Sequence, residues 1–418
     1  MDDRLDRHAP AAALSDLPRL GASGLVDQVV ASLRRSEPRA HYHVARPTLV
    51  PVEPAAYTLV VGAGFSAGVV PMVRELMQQT IGGYYFVGDM EGTASDRSPS
   101  WLRRRSGEFW REFNAAAHRL HGCDAVALRS RDGQPLDCAA AYRTLFQFDI
   151  ATEMFRTRPE DRPQRRRPRH GSLRAAVDGG DSPGADAELG RDFVQGFLEY
   201  IVAPGIEHGS GFTGRTKLNP AHRELARLLE AQQDGRAFRC RPFCRNIFTT
   251  NFDTLLQVAL QQVGIVPCVT DRPERGIDTT LFEREAAIHL VYTHGSILRR
   301  NPASTARELA GLADANLAAL AQVLGERDAI VVGHSGWHDS LTRALAACGP
   351  GRHHLWWCDT RPEPNVDVLR LHAERGGAMT YVALGDAGAD GLMRALSDAL
   401  LGPTLAGTVK APASRSPA

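Results

Sequence analysis

The chain has 418 residues, 49 Lys+Arg against 48 Asp+Glu, a net charge of +1, and 43% hydrophobic residues, the make-up of an ordinary globular protein. Only Lys217 and Lys410 are lysine, so a P-loop and a Schiff-base site both lack their nitrogen, and the arginine bias reads as a coding bias. The charge balance gives no strong nucleic-acid signal, seven scattered cysteines do not make a disulfide framework, and no apolar run reaches the roughly 18 residues of a membrane helix.

In chain order, the start MDDRLDRHAPAAALSDLPRL is acidic where a signal peptide is basic and then apolar, which points to a cytoplasmic protein. Residues 1–50 read as a polar leader with one helix over Gly24–Arg35, where Leu25, Val26, Val29, Val30 and Leu33 recur at helical spacing. Tyr57–Gly62 is a short β-branched run ending in glycine, the pattern of a buried parallel strand, with a helix expected over Val73–Gln79. From about 98 to 235 the character is that of a helical insertion, with Trp101, Phe109, Trp110 and Phe113 in one aromatic group. Within it, 156–184 carries RPEDRPQRRRPRH, whose prolines and like charges predict a disordered loop; its arginines are either simply solvated or a contact for an anionic partner. Asn219-Pro220 marks a helix start ahead of Leu225, Leu228 and Leu229.

Five further strands are predicted at Asn246–Thr250, Ile288–Thr293, Asp328–Gly333, His353–Cys358 and Met379–Leu384, and a flexible Pro/Ala/Ser tail at 401–418. The alternation of strands with helices predicts an α/β fold, a Rossmann-like, mostly parallel, doubly wound sheet over 51–400 interrupted by the insertion.

In such a sheet ligands bind beyond the carboxyl ends of the strands, so the residues after each strand matter most. The first strand is followed by Gly62-Ala63-Gly64-Phe65-Ser66-Ala67-Gly68, a glycine turn suited to a pyrophosphate or simply to a tight strand–helix connection. The next ends in Thr249-Thr250-Asn251-Phe252-Asp253, where the amide and carboxylate either meet a ligand or cap the following helix. His294 in Tyr292-Thr293-His294-Gly295-Ser296 is either a general base or a structural histidine. Gly333-His334-Ser335 closes the fourth run, and His338-Asp339 follows on the next helix.

Taken as an ordered set, GAGFS, TTNFD, HGS and GHS resemble the motifs of the sirtuin superfamily, particularly the sirtuin-like domains of bacterial defence proteins, over residues 57–385. The resemblance implies an NAD+-binding sheet. Its cofactor-binding set would be Gly62, Ala63, Gly64, Phe65, Ser66, Arg74, Thr250, Gly333, His334, Ser335 and Asp359. Asn251 would sit at the nicotinamide ribose, Asp253 at the nicotinamide end, and His294 would be the catalytic base. The chain departs from the deacylases of that family: Cys240-x3-Cys244 has no downstream partner pair, so no zinc is expected, and Asn251 and His294 stand 43 positions apart. These departures favour water as acceptor. The resulting expectation is an NAD+ glycohydrolase acting in anti-phage defence. Alternatives are an NAD-dependent protein deacylase or ADP-ribosyltransferase, and a non-catalytic NAD or ADP-ribose sensor. Its trigger is expected in the insertion, the leader, a homo-oligomer interface or a separate sensor protein.

Overall fold

The computed structural model describes residues 16–34, 55–70, 218–234, 241–280, 282, 287–299, 306–336, 339–350 and 353–402, with single helix positions at 111, 115, 118 and 119. Arg74 and the Val73–Gln79 helix, the aromatic group Trp101–Phe113, the 156–184 loop and the tail beyond 402 lie outside the described residues.

Eight strands form one all-parallel sheet: β1 (Arg19–Gly21), β2 (Tyr57–Val61), β3 (Cys244–Thr249), β4 (Cys268–Thr270), β5 (His289–Tyr292), β6 (Asp328–Val332), β7 (Leu355–Asp359) and β8 (Met379–Ala383). Their order is β1-β8-β7-β6-β2-β3-β5-β4. This is the doubly wound α/β fold expected from the alternation of strands and helices. Two strands are additional to the six expected. One of them, β1, changes the reading of the leader: it pairs with β8 from Arg19↔Tyr381 to Gly21↔Ala383, so this part of the leader belongs to the sheet.

The central strands are buried on both faces, β2 and β5 along their whole length, as their unbroken apolar runs require. Alternate side chains divide the core into two layers. Leu59 and Val61 of β2 pack with Leu25, Leu225, Leu260 and Leu392, from α1 (Ala22–Arg34), α2 (Pro220–Asp234), α3 (Leu255–Gln262) and α7 (Gly388–Leu401). Val60 faces the other way, into a cluster with Leu324, Leu345 and Val368 from α4 (Ala306–Gly325), α5 (Ser340–Ala347) and α6 (Val366–Glu374). Burying one such side chain contributes roughly 1.5–3 kcal/mol. Among the described residues no helix is long and apolar enough to cross a membrane.

Register places the ends of the central strands at one level. Val61 lies opposite both Thr249 and Val332, and Thr249 lies opposite Tyr292. The turns that begin at Gly62, Thr250, Thr293 and Gly333 therefore leave the same edge, from four neighbouring strands. The chain runs from β2 outward on one side to β3 and β5, then returns to the other side of β2 as β6. That reversal opens a topological switch point between β2 and β6.

Candidate active site

The glycines at this switch point are explained first by packing. Gly62 donates its amide to Val332 O (3.0 Å) and Gly64 to Gly333 O (2.8 Å), bringing the two turns backbone to backbone. A Cβ on Gly333 would lie 2.4 Å from the Phe65 amide nitrogen, and Gly333 also has φ +73°, which L-residues rarely adopt. The Gly64 amide is thus engaged within the protein. Ala63 and Gly68 are the exposed positions of the turn, while Phe65 and Ser66 are buried beneath it.

Ser66 is the centre of a buried polar cluster. Its hydroxyl lies 3.0 Å from Asp253 Oδ2, 3.1 Å from Asn251 Nδ2 and 3.3 Å from His222 Nε2. The TTNFD segment supplies two of these groups because Asn251 and Asp253 both follow β3, the strand paired with β2. Asp253 has two uses, since its Oδ1 also accepts from the Leu255 amide (3.0 Å) at the start of α3. The bond to the helix start and the bond to Ser66 are thus divided between its two oxygens, while the N-cap position itself is Thr254, which makes no side-chain capping bond. Burial pushes the Asp253 carboxyl above its ordinary range, against the lowering effect of the Leu255 amide and Ser66 hydroxyl. Asn251 Oδ1 is buried and has no hydrogen-bond partner among the described residues.

His222 is the member that the sequence motifs do not announce. It comes from the first turn of α2, where Asn219 caps the helix by accepting from the His222 amide (3.1 Å). The same Asn219 donates through Nδ2 to Phe65 O (2.7 Å) and Ala67 O (3.3 Å), tying α2 to the glycine turn. The His222 ring stands edge-on to Phe65, with centroids 5.2 Å apart. Burial, helped by the neighbouring Arg223 charge, pushes its imidazole down to about 4. The signal that reveals it in retrospect is periodicity. His222 occupies the apolar stripe with Leu225, Ala226 and Leu229, where a titratable side chain requires a partner.

A second cluster lies on the β5 and β6 ends. Asp339 caps α5, its Oδ1 accepting from the Thr342 amide (2.9 Å), and its Oδ2 accepts from His334 Nε2 (2.8 Å). His294 Nε2 lies 3.2 Å from Ser340 Oγ and 3.8 Å from Asp339 Oδ2. Burial alone would raise the Asp339 carboxyl. The attraction of His334 and His294 and the Thr342 amide outweigh it and hold the group well below the carboxylate range. Burial pushes His294 down to about 4, against Asp339 and with His334. Its Nδ1 is buried with no hydrogen-bond partner among the described residues.

The residues singled out by sequence thus fall into two groups at one edge. Ser66, Asn251 and Asp253 share hydrogen bonds; His294 bonds instead to the Asp339 cluster, as does His334. Thr250 donates its amide to Val61 O (3.2 Å), joining β3 to β2. Ser335 is exposed, and its carbonyl accepts from Asn365 Nδ2 (2.6 Å). The Asp359 carboxylate is held by Arg361, through Nε at 2.9 Å and the adjacent amino group. Among the described residues no group of three or more His, Cys, Asp or Glu side chains is arranged to hold a metal ion.

Together the fold and these clusters define an α/β protein with a polar site at the switch point of a parallel sheet. Comparison of the chain with models of known protein families gives no match, nor does comparison with curated proteins.

Proposed function

We propose that this chain is a cytoplasmic NAD+ glycohydrolase that splits NAD+ into nicotinamide and ADP-ribose, with water as acceptor, as an effector of bacterial anti-phage defence. The observation that carries the reading is the convergence of Ser66, Asn251 and Asp253 from two adjacent strand ends on one cluster, with Asn251 Oδ1 left unpartnered. The resemblance of the ordered motifs to sirtuin-like defence proteins supplies the substrate and the setting.

Loss of nicotinamide from a ribosyl pyridinium builds positive charge on the sugar. Oriented dipoles and a carboxylate placed beside that charge lower the barrier because they need no reorganisation when it forms. In this reading the Asn251 amide orients the nicotinamide ribose and Asp253 faces the nicotinamide end. By the motif resemblance, Gly62, Ala63, Gly64, Phe65, Ser66 and Thr250, with Gly333, His334, Ser335 and Asp359, would form the nucleotide side of the site. Of these, the exposed Ala63 and Ser335 are the positions best placed to meet the nucleotide directly. His294 is neutral near pH 7, the form a base requires, and its unpartnered Nδ1 is the lone pair that would take a proton.

The test is nicotinamide release from NAD+ by the purified protein, alone and with proteins encoded beside it. His294→Ala is expected to lose turnover while still binding nucleotide. A second reading, a sensor that binds NAD+ or ADP-ribose without cleaving it, is favoured by the burial of His294 and its bond to Ser340. Calorimetric binding with no nicotinamide release, under every condition tried, would establish the sensor instead.

A further inference from the structure

The hydrogen-bond geometry of the Ser66 cluster calls for one more proton than an ionised aspartate and a neutral histidine supply. Asn219 Nδ2 donates to two carbonyls, so the orientation of its amide is fixed and its Oδ1 faces His222. The contact between that oxygen and His222 Nδ1 therefore needs the hydrogen on Nδ1. If the imidazole is neutral, Nε2 is then an acceptor, and the Ser66 hydroxyl 3.3 Å away must donate to it. Ser66 has only one hydrogen, so the 3.0 Å contact with Asp253 Oδ2 must be donated by a protonated Asp253.

The alternative arrangement reverses both bonds. Ser66 donates to an ionised Asp253, and Nε2–H of an imidazolium His222 donates to Ser66. Each arrangement satisfies Asp253 Oδ2, Ser66 Oγ and His222 Nε2, with Asn251 Nδ2 filling the remaining lone pair of Ser66. An ionised Asp253 beside a neutral His222 leaves one buried acceptor facing another, and all three side chains are buried, beyond the help of water.

We infer that Asp253, Ser66 and His222 form a proton relay that holds one shared proton and sets the charge of the site. In the free protein the proton sits on Asp253 and the site is uncharged. When a cationic ligand or a developing sugar cation approaches, Asp253 Oδ2–H passes its proton to Ser66 Oγ, and Ser66 passes its own to His222 Nε2. The Oδ2–H and old Oγ–H bonds break, a new Oγ–H and an Nε2–H bond form, and a carboxylate now faces the cation. The imidazolium lies on the far side of Ser66, within α2. The displacement of the two groups away from their ionised forms by burial agrees with the uncharged resting state. His222 is thus a positioning residue acting through Ser66. The relay deepens the proposed NAD+ reading and rests on it for the identity of the ligand.

The proton can be counted without any substrate. Selective labelling of the full chain with ¹³C-carboxyl aspartate and ¹⁵N-histidine gives the protonation of both groups by NMR. At pH 7 the expected result is a protonated Asp253 with His222 as the neutral Nδ1–H form. An ionised Asp253 with a neutral His222 would overturn the relay. In Ser66→Ala, Asp253 should ionise independently of His222; if the two groups titrate as in the wild type, the relay is also overturned. A carbocyclic NAD+ analogue, which keeps the pyridinium but resists cleavage, should turn the pair into carboxylate and imidazolium. NADH, whose nicotinamide ring is uncharged, should not. If the analogue fails to bind, the NAD+ reading fails while the proton count in the free protein still stands. For turnover, His222→Gln should lower kcat on the order of 10- to 100-fold at nearly constant KM. A change confined to KM would contradict the role.

Discussion

Two buried carboxylates stand at the same edge of the sheet and are treated in opposite ways. Asp339 receives a helix amide and lies against two imidazoles, so it is held ionised. Asp253 accepts one helix amide and shares a hydrogen with the Ser66 hydroxyl, and burial outweighs both and pushes its carboxyl up. The first is an anchor, a fixed negative charge that orients His334 and lies near His294. The second is adjustable, since its charge depends on where a neighbouring proton rests. Paired acids driven apart by their surroundings are a common way for one site to divide its chemical roles.

The most disruptive way to break this arrangement is at the joint between the two clusters. Gly333→Ala places a Cβ against the Phe65 amide at a positive φ, in a turn where backbone meets backbone. It should destabilise the fold by about 4 kcal/mol or more, seen as loss of soluble protein or a large fall in Tm. A near-wild-type Tm would mean that the two turns are not so tightly joined.

Replacing each carboxylate by its amide sharpens the contrast. Asparagine imitates a protonated acid but not a carboxylate. Asp339→Asn should therefore cost about 3 kcal/mol or more in denaturant unfolding, because it removes the buried charge that partners His334. Asp253→Asn should cost about 1 kcal/mol or less, with its effect on turnover. Equal costs would abolish the distinction between anchor and adjustable group.

The smallest effect is on pH dependence. His222 and His294 both sit near 4 in the folded chain, below the unfolded value of about 6.5. Between those values the unfolded chain binds more protons, so stability should fall as pH drops from about 6.5 toward 4. The loss should be about 1–3 kcal/mol per histidine, and His294→Asn should flatten the Tm–pH curve across that window. Asp253, being raised, acts in the opposite sense, losing its contribution as pH rises. An unchanged curve in His294→Asn would show that His294 is not held neutral by burial.

The sequence shows the fold best where the physical constraint is strongest. Central strands buried on both faces leave unbroken apolar runs, and all six of the runs identified lie in the sheet. The edge strands β1 and β4 are three residues long and partly exposed, so Arg19–Gly21 and Cys268–Thr270 carry no such run. The strand-end motifs were legible for the related reason that register brings adjacent strand ends together. His222 was not, because it reaches Ser66 across 156 residues of sequence, and only the packing of α2 against the glycine turn unites them. Nor does sequence spacing reveal that His294 bonds to Ser340 rather than into the Asn251 and Asp253 cluster.

The most direct test of the central proposal is the rate of nicotinamide release from NAD+ by the wild-type protein and by Asn251→Ala, with matched Tm. Turnover by the wild type and a loss of at least about 100-fold in the variant are expected. Equal nicotinamide release by the two folded proteins would contradict the proposal.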